Sequence, residues 1–122
     1  MSEIAPDAMV DTTDWKQLPT KWQTAQRIKE AVAREFKVPV YEIMSRRHRA
    51  AFPRQVAIWI TRRATRCSFP EVGQAFDREY TTCIHAWQVV EKRIAADPEM
   101  RERIIGIVRQ LGILPDPVSG YL

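Results

Sequence analysis

Glu79, Tyr80, Thr81 and Thr82 are four consecutive hydrogen-bonding side chains at the expected start of a helix. Side chains of these types, projecting from a first helical turn, suit the reading of base edges in a major groove about 12 Å wide. The threonine hydroxyls can bond to bases and their methyl groups can meet thymine methyls. The Glu79 carboxylate can accept from a cytosine amino group, and small Ala86, further along the helix, permits close approach. Helix capping and plain exposure would use the same residues. One threonine hydroxyl is open to a capping role, and Tyr80 to packing against the turn before it.

Charge is distributed in the way such a site requires. The net charge of +4 conceals an acidic beginning, in which Lys16 alone opposes Glu3, Asp7, Asp11 and Asp14. Residues 45–66, by contrast, hold Arg46, Arg47, Arg49, Arg54, Arg62, Arg63 and Arg66 and no acid. A basic block of this kind is either a solvated face or an electrostatic footprint for nucleic acid, and a neighbouring helix-turn-helix pattern favours the second.

Catalytic chemistry finds no support. The four glycines, at 73, 106, 112 and 120, form no phosphate loop of the G-x-x-x-x-G-K-[ST] type, so ATP hydrolysis is excluded on sequence. His85 has no partnered nucleophile. Cys67, Cys83, His48 and His85 show no zinc spacing, and both cysteines read as reduced packing residues. The chain is expected to be no enzyme and to need no metal or cofactor.

The elements that must position the reading residues are well punctuated. Ser68 and Glu71 have capping-box spacing and Pro70 fits a first turn, which predicts a helix from Phe69 to about Phe76. The polar run 77–80 breaks it, and Thr81 or Thr82 is expected to cap a second helix reaching Ile94. Upstream, Thr20 and Gln23 repeat the capping-box spacing. Ala25, Ile28, Val32 and Phe36 then predict a helix over 21–36. A short helix over 39–44 with proline in its first turn, a basic loop over 45–52 and a third helix from Pro53 to Arg66 follow, with Val56, Trp59, Ile60 and the Arg63 stem along one side. Asp97, Pro98 and Glu99 mark the last helix, with Met100, Ile104, Ile107, Val108 and Leu111 as its apolar face and Gly112 as its C-terminal cap.

The stretch PEVGQAFDREYTTCIHA, residues 70–86, resembles the C-terminal DNA-binding domain of the bacterial replication initiator DnaA, whose hallmark is close to PEIG..FGGRDHTTV..A. Pro70, Glu71, Gly73, Phe76, Arg78, Thr81, Thr82 and Ala86 match it. The resemblance extends upstream through SRRHRAAFPRQVA, residues 45–57, to the first helix. It implies that Arg47 enters an adjacent minor groove, where narrow A·T-rich DNA concentrates negative potential. It also implies that Arg54, Arg62 and Arg78 contact phosphates and that Pro70 touches DNA at the helix start. Arg46, Arg49, Arg63 and Arg66 would assist on phosphates. Two departures fall on the reading surface: Asp77 stands where the family has a Gly-Gly pair, and Tyr80 replaces a histidine. The basic loop is also shorter. The resemblance concerns the DNA-reading part as a freestanding domain, without the ATPase module.

These readings converge on an all-α bundle of about six helices containing a helix-turn-helix. An acidic arm spans 1–19, the domain 20–114 and a tail 115–122. No run of 18 apolar residues and no signal peptide are seen, so a cytoplasmic, nucleoid-associated protein is expected. The expected activity is sequence-specific binding of double-stranded DNA in transcriptional or replication regulation. A protein–protein interaction module on the same helices is the alternative. The arm, with Trp15 and Trp22, or the final helix, with Met100 and Ile104, could supply a surface for a homodimer or protein partner, although core packing is the more ordinary use of those apolar residues.

Overall fold

The computed structural model describes residues 20–46 and 50–112. The arm 1–19, Arg47, His48, Arg49 and the tail 115–122 lie outside the described residues, as do the side chains of Thr20 and Trp22 on which the first capping box and one anchor rest.

Within these bounds the fold is all-α. Its order is α1 Thr20–Phe36, α2 Val40–Ile43, α3 Ala51–Thr65, α4 Phe69–Phe76, α5 Tyr80–Ala96 and α6 Pro98–Leu111. α3 is the central element and packs against both α1 and α5. The sequence suggests a one-sided apolar stripe for α3, yet every residue from 56 to 61 is buried. A helix covered on all sides must be largely apolar all round in its middle, and VAIWI fulfils this, with the buried Thr61 hydroxyl as the polar exception. Trp59 is fully buried, its ring stacks on Trp87 of α5 at 5.7 Å, and its indole N–H donates to Glu91 Oε2 at 2.8 Å. Truncating such a tryptophan costs about 3–5 kcal/mol.

α3 also starts two residues earlier than expected. Pro53 sits in its first turn, where the missing N–H has no intrahelical acceptor to lose, so proline tolerates two helical residues before it. Pro39 caps α2 from outside and is not in its first turn.

α4 matches its expected bounds because the capping box forms: Ser68 Oγ accepts from the Glu71 N–H, and the Glu71 carboxylate accepts from the Ser68 N–H at 2.9 Å. At the start of α6, Asp97 accepts from the Met100 N–H, and Gly112 ends the helix at φ 63°. α6 closes onto α1 through Arg103 with Glu35 at 3.0 Å and through Arg27, which donates to the Leu111 carbonyl at 2.7 Å. Met100 and Ile104 are buried in the core. Of the two uses open to these residues, core packing is the one found, and the apolar side of the final helix is not an open partner surface.

α4 is tied to the scaffold from its far end. Lys29 of α1 is buried, donates to the Ala75 carbonyl at 2.6 Å and lies 4.8 Å from the centre of the Phe76 ring. An ammonium there satisfies a carbonyl of the last α4 turn and meets the negative end of the helix dipole. Burial nevertheless pushes its pKa below the usual lysine value.

Candidate functional site

The helix-turn-helix unit is α4, the turn 77–79 and α5. Its geometry begins with Asp77, which takes the left-handed conformation at φ 54° and accordingly ends α4. The Arg78 N–H then returns to the Gly73 carbonyl at 2.9 Å. Gly73 is required by this close return: a Cβ on it would collide with the Arg78 carbonyl oxygen. The turn is therefore a backbone-on-backbone contact, one residue tighter than the Gly-Gly pattern.

α5 begins at Tyr80, with Glu79 as its N-cap and no side-chain cap bond. The expectation that a threonine caps this helix is corrected, because Thr81 and Thr82 stand inside the first turn. Their hydroxyls are not drawn into the cap position. Glu79, Tyr80, Thr81 and Thr82 are all exposed, and Tyr80, at 53% exposure, does not pack against the turn. Behind this tip the helix is anchored by Cys83, Ala86, Val90 and Ile94, all buried. Ala86 is 1% exposed and belongs to the core. It offers no surface for close approach, which corrects its expected place in the reading row.

Five of the expected residues meet at one place. Arg46, Pro70, Arg78, Glu79 and Thr82 line an open depression of about 540 Å³ together with Gly73, Gln74 and Asp77. Gln74 is missed by the sequence reading, and Asp77 is placed on this surface there only as a change in the turn. Gln74 lies one helical turn after Pro70, and that spacing was the available signal.

The arginines divide into two groups. Arg46 and Arg66 are exposed, Arg66 as the left-handed cap of α3 at φ 58°. Arg62 is half-buried, its guanidinium 4.3 Å from the centre of the Phe69 ring and bonded to the Cys67 carbonyl, so it braces the start of α4. Arg63 lies over the Trp59 and Trp87 rings at 5.2 and 6.0 Å. Arg54 is buried and donates from Nε to the Ile43 carbonyl at 2.7 Å and from Nη2 to the Glu42 carbonyl at 3.3 Å. It links α3 to the end of α2 and is not an outward phosphate ligand, a correction to its expected role. Burial, with the charges of Arg78 and Arg46 nearby, pushes its pKa below the usual arginine value.

Cys67 and Cys83 are free thiols and buried. Burial pushes the Cys83 thiol up, partly opposed by the Arg78 charge. Among the described residues no group of three His, Cys, Asp or Glu side chains could hold a metal ion, and no helix is long and apolar enough to cross a membrane.

Relatives place this geometry in a family. The chromosomal replication initiator protein DnaA of Geotalea uraniireducens is 36% identical over 95 residues, covering 75% of this chain and 21% of that protein. That of Citrifermentans bemidjiense is 36% identical over 91 residues, 72% of this chain and 20% of the relative. The same protein of Geotalea daltonii is 35% identical over 95 residues. This chain thus spans about a fifth of the length of the relatives it matches. The profile of the bacterial dnaA protein helix-turn-helix matches residues 25–90, from α1 through the buried middle of α5, and by that match the chain belongs to the bacterial DnaA helix-turn-helix family.

Proposed function

We propose that the chain binds double-stranded DNA sequence-specifically through the tip of α5 and acts as a regulator of transcription or replication. The observation that carries this reading is the exposed row 79–82 at the cap and first turn of α5, from which Glu79 and Thr82 share one depression with Pro70 and Arg46. A first helical turn without a side-chain cap presents backbone N–H groups and the positive end of the helix dipole, both suited to a phosphate. In this reading Glu79, Tyr80, Thr81 and Thr82 face base edges in the major groove, with Pro70 at its rim. Arg46, Arg62 and Arg66 meet phosphates. Arg47 reaches an adjacent minor groove and Arg49 assists, as the family resemblance implies. The relatives named above are replication initiators, which favours sites of related sequence.

Such a module covers roughly 600–1,000 Å² of its own surface on DNA, so a second copy or a protein partner reached through the arm would strengthen binding. Titration of a duplex at several salt concentrations tests the reading. About four arginine–phosphate contacts give a log–log slope of roughly −4, and a slope near zero refutes it. Genome-wide mapping of bound sites then assigns the regulatory role, since promoters and origins are distinguished by where occupancy falls.

A further inference from the structure

Arg78 occupies a position that the family resemblance gives to a phosphate contact, yet its guanidinium is turned inward onto backbone. Nη1 donates to the Phe76 carbonyl at 3.4 Å and the Asp77 carbonyl at 3.1 Å, both at the end of α4. Nη2 donates to the Ser45 carbonyl and to the Met44 carbonyl at 3.4 Å, just beyond α2. Both terminal nitrogens are thus used twice, and they join two segments more than thirty residues apart in sequence.

The segment leaving α2 is gripped from its other side as well. Arg54 takes the Ile43 and Glu42 carbonyls, and Ser45 Oγ donates to the Glu42 carbonyl at 2.9 Å. Every carbonyl from residue 42 to 45 therefore accepts from a guanidinium rooted in α3 or in the turn. The next residue is Arg46, exposed and lining the same depression as Glu79 and Thr82.

Resting on the DNA-binding reading above, we propose that Arg78 is a positioning residue, holding the tip of α5 at a fixed distance from Arg46. A site built from two separate segments discriminates only if their spacing is held within about 0.5 Å. A planar fork with five donors spans two pairs of carbonyls, whereas a lysine, with three donors on one atom, keeps the charge but cannot make the span. Specificity thereby depends on a residue that touches no base. Its charge still contributes to the attraction of phosphates at a distance.

The test compares native chain, Arg78→Lys and Arg78→Met on two duplexes of equal length: one selected by the native chain from a random pool, and one of random sequence. For Arg78→Lys the expected result is a loss of about tenfold on the selected duplex. The random duplex should change less than about twofold, with the salt slope unaltered. Near-native binding of both duplexes by Arg78→Lys, together with a slope flattened by about one unit in Arg78→Met, makes Arg78 a phosphate ligand and overturns the proposal. Equal weakening on both duplexes in Arg78→Lys, with the preferred-to-random ratio intact, reduces it to a stability residue. If the native chain binds neither duplex, the DNA-binding reading itself falls; if it binds and Arg78→Lys keeps the native ratio, only the positioning role falls. Should Arg78→Lys not fold, side-chain NMR of native Arg78 decides. Guanidinium protons already protected in the free chain and unchanged by the selected duplex support the strap, and protection that arises only on adding duplex overturns it.

Discussion

Gly73 faces the carbonyl of Arg78 so closely that no side-chain carbon fits between them. The obstructing atom is backbone, so the strain cannot be relieved by rotating a side chain. Gly73→Ala is therefore expected to destabilise the fold by about 1–3 kcal/mol, despite alanine's better helix propensity. Urea unfolding checks this; an unchanged or raised midpoint shows that the turn can open at little cost.

Asp77 ends α4 in a left-handed conformation that glycine adopts more easily. Asp77→Gly should stabilise the chain by about 0.5–1 kcal/mol, read as a rise in thermal midpoint. The same change removes a carboxylate from a depression lined by Arg46 and Arg78, so selected and random duplexes should both bind more tightly. Weaker binding on both would show that Asp77 holds the turn by more than its backbone.

Thr82 is exposed in the first turn of α5 and lines the depression with Pro70. Thr82→Ala is expected to cost about 1–3 kcal/mol on the selected duplex while leaving random-duplex binding nearly unchanged. Parallel losses in a competition titration would remove Thr82 from base reading.

The Asp97 carboxylate is held below its ordinary pKa, first by the Met100 N–H and then by the Arg93 guanidinium, which lies at 2.9 Å. Its folded value is thus below its unfolded value of about 3.9, so its contribution is complete above that pH and disappears as pH falls through the folded value. Asp97→Asn retains an acceptor for Met100 but does not titrate. Its urea midpoint should be lower than native at neutral pH and should converge on the native midpoint in acid; a constant gap across the acid range would contradict the assignment.

Much of this architecture was legible because its punctuation is chemical. Ser68 with Glu71 and Asp97 with Pro98 mark helix starts by satisfying particular N–H groups, and α4 and α6 begin where those residues place them. The start of α5 lies two or three residues before the expected one because threonine suits both a cap and a first turn, and the tight return onto Gly73 decides for the first turn. Ala86 could have been placed correctly from spacing alone, since 83, 86, 90 and 94 follow one helical face. The arginines could not. Arg54 and Arg66 are the same residue type in the same basic block, and only the location of the α2 carbonyls distinguishes an internal clasp from an outward charge.

The division along α5, with 79–82 exposed and 83, 86, 90 and 94 buried, separates the residues proposed above to meet base edges from those that keep the chain folded. Exposed substitutions away from caps and cores usually change stability by no more than about 0.5 kcal/mol. Apart from Glu79, which stands at the cap, the tip can therefore drift in sequence almost neutrally as far as folding is concerned. With the proposed base reading confined to that first turn, a duplicated copy of this helix could acquire a new target by a few changes there, without compensating mutations in the core.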